Sequence, residues 1–311
     1  MLEADAHDAQ MPLAEHGDHA TAIADLIGQR LGEFLDRALD QNRVIGALAG
    51  AAIDQRAGDD GDVEDVLRGK ARLGLGGQFG IVLDGDDGLL AGAGDLLLLI
   101  GSTSSPTGVR AIAERLHRQS GGRVRVVDCP VSGGVDGASA GTLSIMLGGT
   151  DADAALAAQI LSPCGTPVHL GPLGAGEVAK ACNQLVVAAT IVALGEATEL
   201  AARSGLDLDA LWSLLAGGYA GSNLLASRKD RLVAGDDSPS GAAAYMVKDL
   251  GFAADVAAST HTATALLPAL RALFDELVDA GLGDRDISVT RRLTARRLGA
   301  PTAAGADYAE T

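Results

Sequence analysis

Two different periodicities divide this chain, and the change between them limits its possible folds more than any other feature. Upstream of Gly171, short apolar runs bounded by small polar residues alternate with helical patterns. DLLLLIGS (95–102), RVRVVD (123–128), TLSIML (142–147) and PVHL (167–170) read as strands. Residues 107–119, set between Pro106 and the Gly121–Gly122 pair, and residues 151–161 read as the helices between them. DLLLLIGS shows no polar alternation, as expected of a parallel strand buried on both faces. Such alternation requires an α/β layer with at least partly parallel pairing. After Gly176 the strand signal stops. Residues 176–204, 207–217, 241–259, 264–281 and 285–298 carry helical spacing, so the second half is all-α. The break falls at GPLGAG (171–176).

Composition supports this division and narrows the classes of partner. At 311 residues, with 47% hydrophobic and 21% charged residues, the chain has the balance of a soluble two-domain protein. A net charge of −17 argues against nucleic acid as a partner. The most apolar stretch, 182–200, has polar ends and an Ala-rich middle that suit a buried helix, so no membrane partner is expected. The N-terminus lacks the basic-then-apolar order of a secretory signal. Cys129, Cys164 and Cys182 have no metal-ligand spacing and read as small buried residues of a reducing, cytoplasmic compartment. No metal site is expected. Residues 1–80 hold 15 acidic and 7 basic residues, and His7, His16 and His19 read as part of a solvated segment. Residues 22–40 carry the spacing of an amphipathic helix, and 56–66 read as an exposed acidic linker.

Two stretches bear chemistry. VSGG (131–134) places two Gly between strands, where backbone must come close to something else. GAGEVAKACNQ (174–184) opens the long helix with Lys180 one turn in, Gln184 four residues later on the same face, and Asn183 beside it. A lysine in a largely apolar helix either lets its amine snorkel to water or stays buried, with a depressed pKa suited to proton transfer. From position alone both readings stand.

Taken in order, STSSP (102–106), DCPVSGGVDGASAGTL (128–143), GAGEVAKACNQ, GGYAGSNLL (217–225), YMVKDLGFA (245–253) and GLGDRDIS (281–288) resemble the β-hydroxyacid dehydrogenase family. That family includes 3-hydroxyisobutyrate dehydrogenase and tartronate semialdehyde reductase. The resemblance runs from about residue 82 to 298. It implies a Rossmann-like α/β nucleotide-binding layer, incomplete or aberrant at its N-terminus, then an all-α domain like that of 6-phosphogluconate dehydrogenase. The implied division is an atypical segment at 1–81, the α/β remainder at 82–171, a helical dimerisation and substrate domain at 172–298, and a tail at 299–311. The implied cofactor is NAD or NADP. The implied partners are a small carboxylate-bearing substrate and further copies of the chain, as a homodimer or tetramer.

The resemblance also implies roles for single residues. Lys180 would be the general acid/base. Ser132, Gly133 and Gly134 would hold the substrate carboxylate, Gln184 and the adjacent Asn183 would contact the substrate, and Ser102, Thr103 and Lys248 would line the nicotinamide end. The expected activity is interconversion of a small 3-hydroxy acid and its semialdehyde. Imine reductases share this architecture but generally lack the lysine. A non-catalytic protein that keeps the dimerising helices is the rival from another class.

Two features depart from the family. Ile100 stands where an Asp usually precedes the x-S-T step. No strand followed by G-x-G-x-x-G occurs in residues 1–81, and GLGGQFG (74–80) lacks both the strand before it and the helix after it. A shifted reading frame or a misjoined sequence over 1–81 would account for this. Pyrophosphate binding depends on unpaired N–H groups at such a helix start. Calorimetric titration with NADPH is therefore expected to give no affinity tighter than about 1 mM, or ~4 kcal/mol. Micromolar binding would contradict this reading of residues 1–81.

Overall fold

The structure, a computed structural model, describes residues 95–297. The expectations for the His7–His19 segment, the helix over 22–40, the acidic linker at 56–66, the GLGGQFG stretch and the tail lie outside the described residues. The first strand, β1 (Leu96–Ile100), pairs in parallel with β2 (Val124–Asp128) through a register that sets Leu98 opposite Val126. Consecutive β1 side chains point to opposite faces. Leu97 and Leu99 enter one apolar cluster with Val127, Leu143, Ile145 and Leu147. Leu96, Leu98 and Ile100 enter another with Val109 and Leu116 of helix α1 (Pro106–Ser120). Both faces are covered, which explains the unbroken apolar run. The helix starts where Ser105 caps it beside Pro106 and stops where Gly121 takes a left-handed conformation.

The rest of the sheet is mixed. The two-residue strand β3 (Val131–Ser132) pairs antiparallel with β4 (Leu143–Gly148), and β4 pairs in parallel with β5 (Gly165–Gly171). The ends of β2 and β4 meet at Asp128 and Gly148. Between β3 and β4 the chain forms the short helix α2 (Gly134–Ala140), and α3 (Asp151–Leu161) lies between β4 and β5. Residues 134–140 read from sequence as part of a Gly-rich loop; the structure corrects this. Small residues carry no apolar periodicity, and the helix rests instead on packing of Gly137 and Ala138 by Leu143.

Helix α4 (Ala175–Arg203) runs from the sheet into an all-helical half made of α5 (Leu208–Leu215), α6 (Asn223–Ala234), α7 (Tyr245–Ser259), α8 (Leu267–Asp279) and α9 (Thr290–Arg297). Ile191, Trp212, Leu225, Leu250, Phe274 and Val289 form its core. The sequence reading passes over α6, whose apolar positions are split by Arg228–Lys229–Asp230–Arg231. Its signals are nonetheless present: Ser222 caps it, Gly235 ends it, and Leu225 and Leu232 lie seven residues apart on the buried face. By length and composition α4 is apolar enough to cross a membrane. Its packing against α6, α7 and α9, and the buried Glu177, Lys180, Gln184, Thr198 and Glu199 along it, are those of a core helix. It is not buried all round. Val186 is 64% and Leu200 70% exposed, and Cys182 also faces outward, so only Cys129 and Cys164 are the buried cysteines expected.

Sheet and helices are joined at the start of α4. Asp128, fully buried at the end of β2, accepts from Gly174 N at 2.7 Å and from Glu177 N at 2.8 Å, one carboxylate oxygen to each. These are unpaired donors of the helix N-terminus, where the helix dipole also favours an anion. A Cβ at Gly176 would strike Met146 O and Asp128, so only glycine permits this approach. Burial still pushes the Asp128 pKa above the ordinary 3.8, against the pull of the backbone donors. Asp128→Ala is expected to cost about 2–4 kcal/mol in urea unfolding, because two buried N–H groups lose their acceptors. A loss below about 1 kcal/mol would mean that the junction does not depend on this carboxylate.

Candidate active site

The first three turns of α4 bring Glu177, Lys180 and Gln184 to one face, at i, i+3 and i+7. Lys180, 9% exposed, donates from Nζ to Val131 O at 2.8 Å, beside the VSGG turn. Of the two positional readings, the buried one holds; the amine does not snorkel to water. Burial lowers its pKa, the nearby Asp249 and Glu177 carboxyls pull it back up, and Lys248 lowers it further. Next to it, Ser132 Oγ donates to Asn183 Oδ1 at 3.3 Å. Gly133 and Gly134 take φ values of 138° and 64°, left-handed conformations that keep other residues out of this turn.

Gln184 is held rather than free. Its Oε1 accepts from Asn183 Nδ2 at 2.9 Å, and its Nε2 donates to Asp249 Oδ2 at 2.5 Å. Lys248, on α7, donates to Thr103 O at 3.0 Å, lies 3.1 Å from Asp249 Oδ1 and sits 5.2 Å from the centre of the Phe252 ring. It thereby stitches the helical half to the loop after β1, where Ser102 is buried. Every residue singled out from the sequence lies at this junction, either on α4, on the VSGG turn, or at the α7 contact with the loop after β1.

The sequence reading did not single out Ser104, Glu177 and Asp249. Glu177, 1% exposed, receives Ser104 N on Oε2 and Ser104 Oγ on Oε1, both at 2.9 Å. Its spacing of three from Lys180 was the available signal.

The donor set fits the nicotinamide end of a dinucleotide. The loop 101–105 follows the carboxyl end of a parallel strand, where α/β sheets bind such ligands, and it presents hydroxyls and backbone groups beside a lysine. Ser102, Thr103 and Lys248 would hold that end. A pyrophosphate-cradling glycine turn does not occur among the described residues.

Burial raises the Glu177 pKa from 4.5 to about 8, with the Ser104 donors opposing the rise, Asp128 adding to it and Lys248 opposing it. Between these two values the folded protein keeps a proton that the unfolded chain has lost. Stability from the neutral acid is thus complete below about 4.5 and is lost as pH rises through 8. Glu177→Gln stays neutral throughout. Relative to this variant, the parent is expected to lose stability on the order of a few kcal/mol between about pH 4.5 and 8, as read by urea midpoints. A pH-independent difference would show that Glu177 ionises normally.

Comparison with known proteins identifies the family. Residues 73–174 match the family model described as the NAD binding domain of 6-phosphogluconate dehydrogenase, so the likeness begins at 73 rather than 82. Residues 174–294 match the model described as NAD-binding of NADP-dependent 3-hydroxyisobutyrate dehydrogenase. The chain is 36% identical over 224 residues to the NAD-dependent L-serine dehydrogenase of Pseudomonas aeruginosa, covering 69% of this chain and 74% of that one. It is 32% identical over 205 residues to the mitochondrial 3-hydroxyisobutyrate dehydrogenase of Drosophila melanogaster, covering 63% of this chain and 62% of that relative's length. Among solved structures, the 3-hydroxyisobutyrate dehydrogenase of Salmonella typhimurium superposes with a TM-score of 0.61 at 28% identity, over 67% of this chain and 73% of that one. The Mycobacterium tuberculosis 3-hydroxyisobutyrate dehydrogenase with L-serine gives 0.58 at 28%, over 70% and 81%. The matches meet at Gly174, where Asp128 ties the sheet to the lysine-bearing helix, and the chain belongs to the β-hydroxyacid dehydrogenase family, a family of NAD- or NADP-binding proteins with a Rossmann-like layer and a helical C-terminal domain.

Proposed function

We propose that this chain is an NAD(P)-dependent oxidoreductase that interconverts a small 3-hydroxy acid and its semialdehyde. The observation that carries the reading is the buried Lys180 amine, fixed on Val131 O beside the VSGG turn and within the field of Asp249 and Lys248. A bound dinucleotide supplies or accepts the hydride. Lys180 gives a proton to the carbonyl oxygen on reduction and takes it back on oxidation. Ser132, with Gly133 and Gly134, holds the substrate carboxylate, and Asn183 fixes the Ser132 hydroxyl that does so. Gln184 and Lys248, anchored through Asp249, hold the helical half against the nicotinamide side and exclude water.

A substrate of this class offers the site a carboxylate and, two carbons away, a hydroxyl. The compounds named for the relatives, 3-hydroxyisobutyrate and L-serine, both have that pair. A lysine at the reacting oxygen favours this reading over imine reduction. We also propose a homodimer or tetramer built on the helical half, supported by the exposed Val186 and Leu200 of α4.

Lys180→Ala is expected to lower turnover by roughly 10²–10⁴ at millimolar dinucleotide, with the circular dichroism spectrum unchanged. Turnover close to that of the parent would remove Lys180 from the chemistry.

A further inference from the structure

Glu177 has no part in the reaction just described, yet it is the most completely buried acid on the face of α4 that carries Lys180. Both of its carboxyl oxygens are held by Ser104, so the group cannot turn toward water. The charged and titratable groups around it are Asp128 at the end of β2, Cys129 next to it, Lys248 from α7, and Lys180 one turn along its own helix, which also feels Asp249 of α7. We propose that Glu177 is a positioning residue that clamps the 102–105 loop against α4 and, by gaining or losing its charge, sets how tightly Lys180 holds its proton.

The chemistry of the clamp makes this possible. Ser104 N–H can only donate, and it serves an acid or a carboxylate equally. Ser104 Oγ can donate to a carboxylate or accept from a protonated acid by rotating its hydroxyl. The clamp therefore survives in either protonation state, and ionisation changes the local charge without moving the loop. In a dry site that charge is poorly screened, and coupling between two such groups is reciprocal. Below about pH 8 a neutral Glu177 leaves Lys180 to the fields of Asp249 and Lys248. Above it, a carboxylate on the same helix face favours the ammonium form, so Lys180 keeps its proton to higher pH.

The inference rests on the proposed role of Lys180 only for its kinetic consequence; the titration itself needs no turnover. The chain has four lysines, Lys70, Lys180, Lys229 and Lys248, so the 13Cε signals of lysine-labelled full-length protein can be resolved, with that of Lys180 assigned by its absence from Lys180→Ala. In the parent, the Lys180 signal is expected to show an added inflection as Glu177 ionises, at the pH where the infrared band of a protonated carboxyl disappears. In Glu177→Gln, whose amide can make both Ser104 bonds, the inflection is absent and Lys180 loses its proton at a pH about 1 lower. A Lys180 curve with one inflection, unmoved by the variant, overturns the proposal. If the variant does not fold, the parent decides alone, because a carboxyl band that disappears without any response at Lys180 also overturns it. Should Lys180 respond as expected while the pH profile of turnover stays fixed, the coupling stands and it is the role of Lys180 in the reaction that fails.

Discussion

The Asp128 carboxylate holds the molecule's two architectures together. It ends β2, is buried completely, and binds two backbone donors at the start of α4. A helix start is one of the few places where a buried anion is matched by fixed donors rather than by a mobile counter-charge. The direction of α4 follows from this contact and from the missing side chains at Gly148 and Gly176, which let the helix backbone reach the sheet. Once the helix is set, the position of Glu177, Lys180 and Gln184 follows from helical geometry. The helical half packs along the remainder of the same helix.

That junction is also unusually rich in buried ionisable groups. Asp128, Glu177, Lys180 and Asp249 are all nearly inaccessible, and Lys248 lies at their edge. Burial disfavours the charged form of an ionisable group unless fixed partners offset it. The structure divides the burden unequally. Asp128 is met by backbone donors, Asp249 by Gln184 and Lys248, while Glu177 is left with neutral partners from Ser104 and holds its proton to about pH 8. With Glu177 neutral, the junction carries one negative charge fewer near neutrality than its acids would supply if all were ionised.

Much of this could be read from the residues, for reasons specific to each segment. DLLLLIGS declared a doubly buried strand because nothing polar interrupted it, and Gly121 and Gly235 mark helix ends because each takes a left-handed conformation. The helix at 134–140 could not be read, since Gly, Ala and Ser carry no periodicity and the helix depends on Leu143 from the next strand. Helix α6 was obscured by four consecutive charged residues although its caps were in view. Lys180 stood out because a lysine in an apolar helix is costly. Glu177 did not, because an acid in a first helical turn is ordinary, and only the fold shows that this one is buried beneath Ser104. The outward turn of Cys182 and Val186 was likewise hidden, since an apolar sequence does not say which side of a helix finds a neighbour.

The proposed activity is hydride transfer at this junction between a 3-hydroxy acid and a nicotinamide. The direct measurement uses 3-hydroxyisobutyrate and L-serine, each deuterated at the hydroxyl-bearing carbon, incubated with the full chain and millimolar NAD or NADP. Mass spectrometry of the recovered dinucleotide then reads the transfer. Hydride transfer here is expected to give reduced dinucleotide carrying one deuterium with at least one of the two acids. Reduced dinucleotide without deuterium, or none with either acid and either cofactor, would contradict it.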